Sequence, residues 1–227
     1  MGVFGEWGSF VREARQHFHE VGAVLPSSRF LARALVSEMK KPRAPGRILE
    51  VGPGTGSVTA AIVKHMLPED RLDLVELNPQ FVSHLQKRFE REERFACRRD
   101  QVAILNKPVQ DLVGESTYDF IISGLPLNIF PVHLVREIYR VFRRVLKPGG
   151  TLSYFEYILV RELKSPFVGR RERRRLLSVG RVVGKYIGTY QIRQQRVFIN
   201  VPPAVARHLQ LKPLPDGDGR KCLVQQS

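Results

Sequence analysis

The stretch Arg47-Ile48-Leu49-Glu50-Val51-Gly52-Pro53-Gly54-Thr55-Gly56 decides how this chain is read. Arg47 to Val51 is a short apolar run rich in branched residues, the pattern of a buried strand. It runs into Gly-x-Gly-x-Gly, after which Ser57-Val58-Thr59-Ala60-Ala61-Ile62-Val63 begins a helical pattern. A strand, a glycine turn and a helix start bring backbone N–H groups and a helix dipole close to a ligand. The same string with no ligand would be an ordinary tight turn. Position weighs against that: Glu76, twenty residues after Gly56, ends a second apolar run, Leu72-Asp73-Leu74-Val75. An acid roughly 20 residues beyond the glycines can accept both hydroxyls of a ribose.

The spacing also narrows the nucleotide. A dinucleotide fingerprint runs Gly-x-Gly-x-x-Gly, whereas here the last gap is one residue. Glu50 to Gly56 resembles motif I of the class I S-adenosylmethionine-dependent methyltransferases. Tyr118-Asp119-Phe120-Ile121-Ile122-Ser123-Gly124-Leu125-Pro126 and Val145-Leu146-Lys147-Pro148-Gly149-Gly150-Thr151-Leu152 continue the resemblance in the right order. It implies an α/β fold: a single Rossmann-like domain with a mostly parallel seven-stranded sheet, here preceded by an N-terminal amphipathic helix. The implied cofactor is S-adenosyl-L-methionine, its amino-acid part in the glycine loop and its ribose on the acid after strand two. The cofactor-binding residues so implied are Ser27, Ser28, Glu50, Gly52, Pro53, Gly54, Thr55, Gly56, Glu76, Leu77, Asn78, Ser123, Gly124, Leu125 and Pro126.

Bulk properties bound the rest. The 227 residues, 43% of them hydrophobic, suffice for one α/β domain with a full core. Residues 1–36 are expected to hold the amphipathic and cofactor-covering helices, 37–212 the cofactor-binding domain, and 213–227 a mobile tail. Cys97 and Cys222 make no metal or redox spacing, so no metal site is expected and a reducing cytosol is. Glu6, Arg12, Glu13 and Arg15 interrupt the N-terminal apolar residues, unlike a signal peptide. No stretch approaches the roughly 20 apolar residues that cross a bilayer. The formal charge of +15 favours a polyanion, either nucleic acid or an acidic lipid surface.

Phe4, Trp7, Val11, Ala14, Phe18 and Val21 recur at gaps of three and four, which puts them on one helix face. Such a helix either caps the core or lies in a lipid interface; its large aromatics, Phe10 included, with basic flanks suit the headgroup boundary. Pro26-Ser27-Ser28 then marks a new helix start, with Ser27 or Ser28 as N-cap. Gly22-Ala23-Val24-Leu25-Pro26-Ser27-Ser28 resembles the bacterial phospholipid N-methyltransferases, in which this segment packs over the methionine end of the cofactor. Asn78-Pro79 opens a further helix, and strand three is expected at Val102 to Leu105. Many methyltransferases place an acid just after it for the adenine; here Asn106-Lys107-Pro108-Val109 leaves that role unassigned. Strand four is Tyr118 to Ser123, a helix runs from about Val132 to Leu146, and strand five is Thr151 to Tyr157. From Arg161 to Arg196 there are eleven Lys or Arg against two Glu, including Arg170, Arg171, Arg173, Arg174 and Arg175. Such a run is either a solvated basic helix or a polyanion-facing patch, and the concentration of charge favours the patch, here for lipid phosphate. Arg196 to Val201 and Ala204 to Leu211 are expected to be the closing strands.

Ser123-Gly124-Leu125-Pro126-Leu127 and Asn200-Val201-Pro202-Pro203-Ala204 also look like the phospholipid N-methyltransferases, which carry phosphatidylethanolamine toward phosphatidylcholine. The rival is an adenine-N6 dimethyltransferase of ribosomal RNA, whose Asn-Leu-Pro-Tyr holds and stacks on the base; here the Asn and the Tyr are both missing. Without a stacking platform a flipped base is held poorly. A third reading is a catalytically silent protein of this fold that docks on membranes. The lipid reading implies a phospholipid substrate, an anionic membrane surface as partner, no nucleic acid, a monomer, and a peripheral place on the inner face of the cytoplasmic membrane. An alkylammonium must lose its proton before attack. Tyr154, Tyr157, Glu156, His133 and Tyr190 are the candidates to take it or hold the headgroup; Tyr154 and Tyr157 are expected at the same edge, with Ser123 beside the methyl channel.

Overall fold

The computed structural model describes residues 28–125, 127, 130–158, 179–180, 183–200 and 202–211. The expected N-terminal helix with Phe4, Trp7, Phe10 and Phe18 lies outside them, as do Ser27, Pro126, the arginines of 170–175 and the 213–227 tail. In chain order the elements are α1 (Arg29–Leu35), β1 (Arg47–Val51), α2 (Ser57–His65), β2 (Arg71–Glu76), α3 (Pro79–Arg91), α4 (Glu93–Ala96), β3 (Val102–Asn106), β4 (Tyr118–Ser123), α5 (Val132–Val145) and β5 (Leu146–Tyr157). A helix α6 at 183–190 follows, then β6 (Gln191–Val197) and β7 (Ala204–Leu209). One sheet holds all seven strands in the order β3-β2-β1-β4-β5-β7-β6. The first five run parallel, and β7 is antiparallel to both β5 and β6. This is the Rossmann-like α/β fold with the seven-stranded order of the class I methyltransferases.

Local chemistry sets the helix ends. Ser28 caps α1, its Oγ accepting from the Leu31 N–H at 3.2 Å. Asn78 caps α3 through the Gln80 N–H, with Pro79 at the first helical position. The apolar stripe of α5 (Leu134, Val135, Ile138, Tyr139, Val141, Phe142, Val145) is buried against one face of the sheet. On the other face α1 and α2 bury Leu31, Leu35, Ile62 and Val63 with Ile48, Leu72 and Phe155.

Two boundaries differ from the sequence reading. Strand six begins at Gln191, not Arg196, and pairs with β7 from Gln191–Leu209 to Val197–Ala204. As an outer strand it hydrogen-bonds on one side only, so Gln191-Ile192-Arg193-Gln194-Gln195-Arg196 lacks the apolar alternation that marks buried strands. Strand five extends back to Leu146 because Leu146 pairs with Tyr118, after which a bulge carries the Lys147 to Gly150 turn before pairing resumes at Thr151.

Polar clamps fix what the apolar layers leave free. His208 is fully buried, its Nδ1 2.8 Å from the Ser153 hydroxyl and its Nε2 3.3 Å from that of Ser37. Gln195 in turn donates to Ser37 at 2.7 Å, so β5, β6, β7 and the segment after α1 share one chain of bonds. Burial pushes the His208 pKa down to about 4, despite the nearby Glu38 carboxylate, and the ring is neutral at physiological pH. At the opposite end of the sheet, buried Asp70 accepts from Arg43 Nη1, the Gly46 N–H and the Leu67 N–H, each at 2.8 Å.

Burial opposes the Asp70 charge, yet Arg43 and the two backbone donors hold its carboxyl below the usual range. The clamp therefore stabilises the fold above the ordinary carboxylate pKa and is lost as pH falls through the depressed one. Asp70→Asn leaves the largely buried Arg43 uncompensated and should cost about 3–5 kcal/mol in urea unfolding at neutral pH. A difference from wild type that persisted unchanged in strong acid would show the charge is not its source.

Candidate active site

The glycine loop sits where the carboxyl ends of β1, β2 and β4 meet. Gly52, Gly54 and Gly56 have φ of 71°, 57° and 82°, the left-handed region that disfavours side chains. The Gly52 N–H donates to Val75 O at 2.9 Å and the Gly124 N–H to Val51 O at 2.8 Å. A Cβ on Gly124 would stand 2.6 Å from the Gly52 carbonyl oxygen. The three strand ends are thus joined through backbone alone. From α3, Arg88 Nη1 donates to Thr55 O at 2.6 Å while its other nitrogens pair with Glu92. A Cβ on Gly56 would lie 2.7 Å from Arg88 Nη1 and 2.9 Å from Leu85 Cδ2. Arg88 was not singled out from sequence; its signal is the Arg88–Glu92 spacing at the charged end of an amphipathic helix.

Two acids face this loop. Glu76 is buried at the end of β2, with Oε2 accepting from the Gly54 N–H at 3.0 Å and Oε1 from the Asn78 N–H at 2.9 Å. Asn106, unassigned in the sequence, donates to the carbonyls of Glu76 and Leu77 at 2.9 and 3.0 Å and so holds the strand end carrying the acid. Glu50 is fully buried. Among the described residues neither of its carboxyl oxygens nor the nearby Thr59 hydroxyl finds a hydrogen-bond partner. Burial pushes the Glu50 pKa up to about 8 and the Glu76 charge adds to it, while Thr59, close to the carboxyl although outside hydrogen-bond geometry, opposes the rise. A buried carboxyl without a partner, beside a second acid and a cradle that excludes side chains, fits a ligand carrying both positive charge and hydroxyls.

The other expected residues divide. Ser28 caps α1, and its N–H donates to Asn200 Oδ1 at 3.1 Å. This bond joins the Pro-Ser-Ser and Asn-Val-Pro-Pro strings, 172 residues apart in the chain. Ser123 is buried and its Oγ accepts from the Leu125 N–H at 3.3 Å; Leu125 and Leu127 turn into the core. Tyr154 and Tyr157 do not share a face, because an odd separation on a strand points side chains to opposite sides. Tyr154 packs with α5 and Tyr157 with the α1 and α2 layer. Tyr190 lies beside Gln191, which pairs with Leu209 and, beyond it, Leu152, at the amino end of the sheet. Its ring reaches toward Tyr154 only through Tyr186 and Tyr139, the latter two stacked at 4.1 Å. Tyr139, absent from the sequence candidates, is buried with Tyr154, and neither hydroxyl has a partner among the described residues. Its place in the apolar stripe of α5 hid it. Glu156 pairs with Arg207 at 3.0 Å, and His133 is exposed.

Comparison with known proteins agrees with this geometry. A family described as a methyltransferase domain matches residues 48–150. The ornithine lipid N-methyltransferase of Singulisphaera acidiphila is 32% identical over 144 residues, covering 63% of this chain and 74% of that protein. Ribosomal RNA small subunit methyltransferase A of Parasynechococcus marenigrum is 33% identical over 102 residues, 45% of this chain but only 32% of that protein. In fold, the chain superposes on the 1,6-didemethyltoxoflavin-N1-methyltransferase of Burkholderia thailandensis with a TM-score of 0.59 at 15% identity, covering 93% of this chain and 92% of that one. The glycine cradle, its two acids and these matches make the chain a member of the class I S-adenosylmethionine-dependent methyltransferases.

Proposed function

We propose that this enzyme N-methylates the amine of a lipid headgroup, phosphatidylethanolamine and its partly methylated forms, toward phosphatidylcholine at a membrane surface. The observation that carries the proposal is the loop after β4. Its Ser123 hydroxyl is engaged within the turn and its Leu125, Leu127 and Phe130 are buried, so the described residues of the loop turn neither an amide side chain nor an aromatic face outward to a base. The similarity to an ornithine lipid N-methyltransferase supports a lipid amine. The similarity to a ribosomal RNA methyltransferase keeps adenine as the competing substrate. Among the described residues no helix is long and apolar enough to cross a membrane, so a lipid is to be met at its surface.

In this reading Gly52 to Gly56 and Gly124 cradle the cofactor, Glu76 takes its ribose hydroxyls, and Glu50 faces its positive charge. Bound S-adenosylmethionine supplies a methyl group on a sulfonium, an already activated leaving group. What the chain supplies is alignment and exclusion of water. The attacking nitrogen must be neutral. Burial, with the Glu156 carboxylate and the phenols' effect on each other, raises the pKa of Tyr154 well above that of an ordinary phenol, and burial pushes Tyr157 up to about 12. Neither can take the amine proton near neutrality; as neutral phenols they hydrogen-bond and orient. Glu156, two residues from Tyr154 and therefore on the same face, is held in an ion pair with Arg207 at 3.0 Å and is placed to orient the headgroup cation.

Three outcomes are expected. Label from S-adenosylmethionine should enter chloroform-soluble product from phosphatidylethanolamine vesicles and not unmodified ribosomal RNA; the reverse pattern makes the adenine reading correct. Glu76→Ala, which loses two loop N–H contacts and the ribose acceptor, should weaken S-adenosylmethionine binding by about 1.5–3 kcal/mol in calorimetry, and unchanged affinity would remove Glu76 from the site. The raised Glu50 pKa means that the ligand-free fold holds a proton its unfolded chain releases. That contribution is complete below the ordinary carboxylate range and is lost as pH rises through about 8. The urea midpoint of wild type should therefore fall relative to Glu50→Gln as pH rises across this window, and parallel curves would contradict a buried neutral Glu50.

A further inference from the structure

In the turn between β6 and β7, Phe198 and Ile199 are 67% and 69% exposed. Of the four exposed large apolar side chains among the described residues, these two are adjacent. The turn beneath them is firmly held. Asn200 is buried, accepts from the Ser28 N–H at 3.1 Å and donates to Pro202 O at 2.7 Å. The Ile158 N–H donates to Pro203 O at 2.9 Å. A fixed turn that keeps two large apolar groups in water is a surface prepared for something apolar.

Its place and charge indicate what that is. Val197 pairs with Ala204, and Ala204 with Tyr157 at the carboxyl end of β5. The turn therefore stands at the sheet end that carries the glycine loop and Ser123-Gly124. Behind the apolar pair, β6 carries exposed Arg196, while Arg193, farther back on the strand, pairs with Glu38 at 3.3 Å; the chain as a whole has a net charge of +15. Apolar tips with a guanidinium group set behind them suit a phospholipid surface: the tips enter the acyl boundary while the cation stays at the phosphates.

We propose that the 198–203 turn is a membrane-docking tip, which inserts Phe198 and Ile199 into an anionic phospholipid surface and sets the cofactor end of the sheet against the headgroups. The proposal rests on the lipid reading of the substrate, and it assigns to this turn a contact separate from catalysis. Two side chains hold a protein to a bilayer weakly, so their main effect is on orientation.

The test compares the full chain with Phe198→Ser/Ile199→Ser. Sedimentation with phosphatidylethanolamine–phosphatidylglycerol vesicles should show binding about tenfold weaker, and turnover on vesicle lipid should fall at least as far. S-adenosylmethionine affinity and turnover on monomeric dihexanoyl-phosphatidylethanolamine should stay at the wild-type level. Undiminished vesicle binding overturns the proposal. So does an equal loss on monomeric lipid, which would make the turn part of the substrate site, or a wild-type dimer that the variant dissolves, which would make it a contact between copies. As a milder probe, Phe198→Trp in a Trp7→Phe background should be quenched by brominated acyl chains when the protein is bound; a bound but unquenched tip refutes insertion. If wild type methylates neither lipid form, the lipid reading of the substrate fails, while sedimentation and quenching still decide the tip.

Discussion

The structure depends on how closely the ends of β1 and β4 approach. Gly124 lies so near the Gly52 carbonyl that even a methyl group there would overlap it, and backbone bonds from Gly52 to Val75 and from Gly124 to Val51 join three strands across the gap. No side chain can enter, so the cradle is built of peptide groups whose positions follow from sheet register. That register is fixed in turn by the strands being buried on both faces, where a slip of one residue would exchange the two cores. A ligand held here is positioned by the sheet itself, as transfer between aligned atoms requires.

Around that rigid cradle the protein leaves charge unresolved. Glu76 accepts from two backbone N–H groups, but Glu50, equally buried, has no hydrogen-bond partner among the described residues, and burial raises its pKa to about 8. An unpartnered buried carboxyl is costly. A ligand bearing positive charge relieves that cost, so part of the binding energy comes from removing a penalty built into the fold. Asn106 and Arg88 support the arrangement from outside, one holding the end of β2 and the other the Thr55 carbonyl.

Much of this was legible in the sequence because the relevant signals are local. Gly52 to Gly56, Glu76 and the Asn78-Pro79 cap are spacings along the chain, and each element they announce is present. The closing strands were less legible. Strand β6 is polar because it lies at the sheet edge, and nothing in its composition separates it from a loop. Tyr139 reads as one more apolar residue of α5, and His208 as an isolated histidine, until packing brings them to Tyr154 and to the two serines. Tyr154 and Tyr157 show the opposite failure: both lie on β5, and strand alternation alone, applied to their separation of three, would have separated them. Contacts between distant segments, such as Ser28 with Asn200, have no local signature at all.

That last contact belongs to an edge of the sheet built differently from the glycine cradle. Because β7 runs against β5, the chain returns to the carboxyl end of the sheet and makes its 198–203 turn there. A parallel strand in that position would begin at the amino end, and the turn before it would lie far from the glycine loop. The reversal thus gives the cofactor end a second wall, one attached to α1 by polar bonds: Ser28 to Asn200 at the turn, Ser37 to His208 and Gln195 farther along. Polar bonds of this kind contribute modestly to stability but fix direction strongly. The outer residues of this wall, Phe198 and Ile199, stand apart from the apolar layers that set the cradle. Contact with a surface can thus be made on this edge while the geometry of the cradle stays that of the sheet, and the fold by itself does not fix which acceptor is methylated.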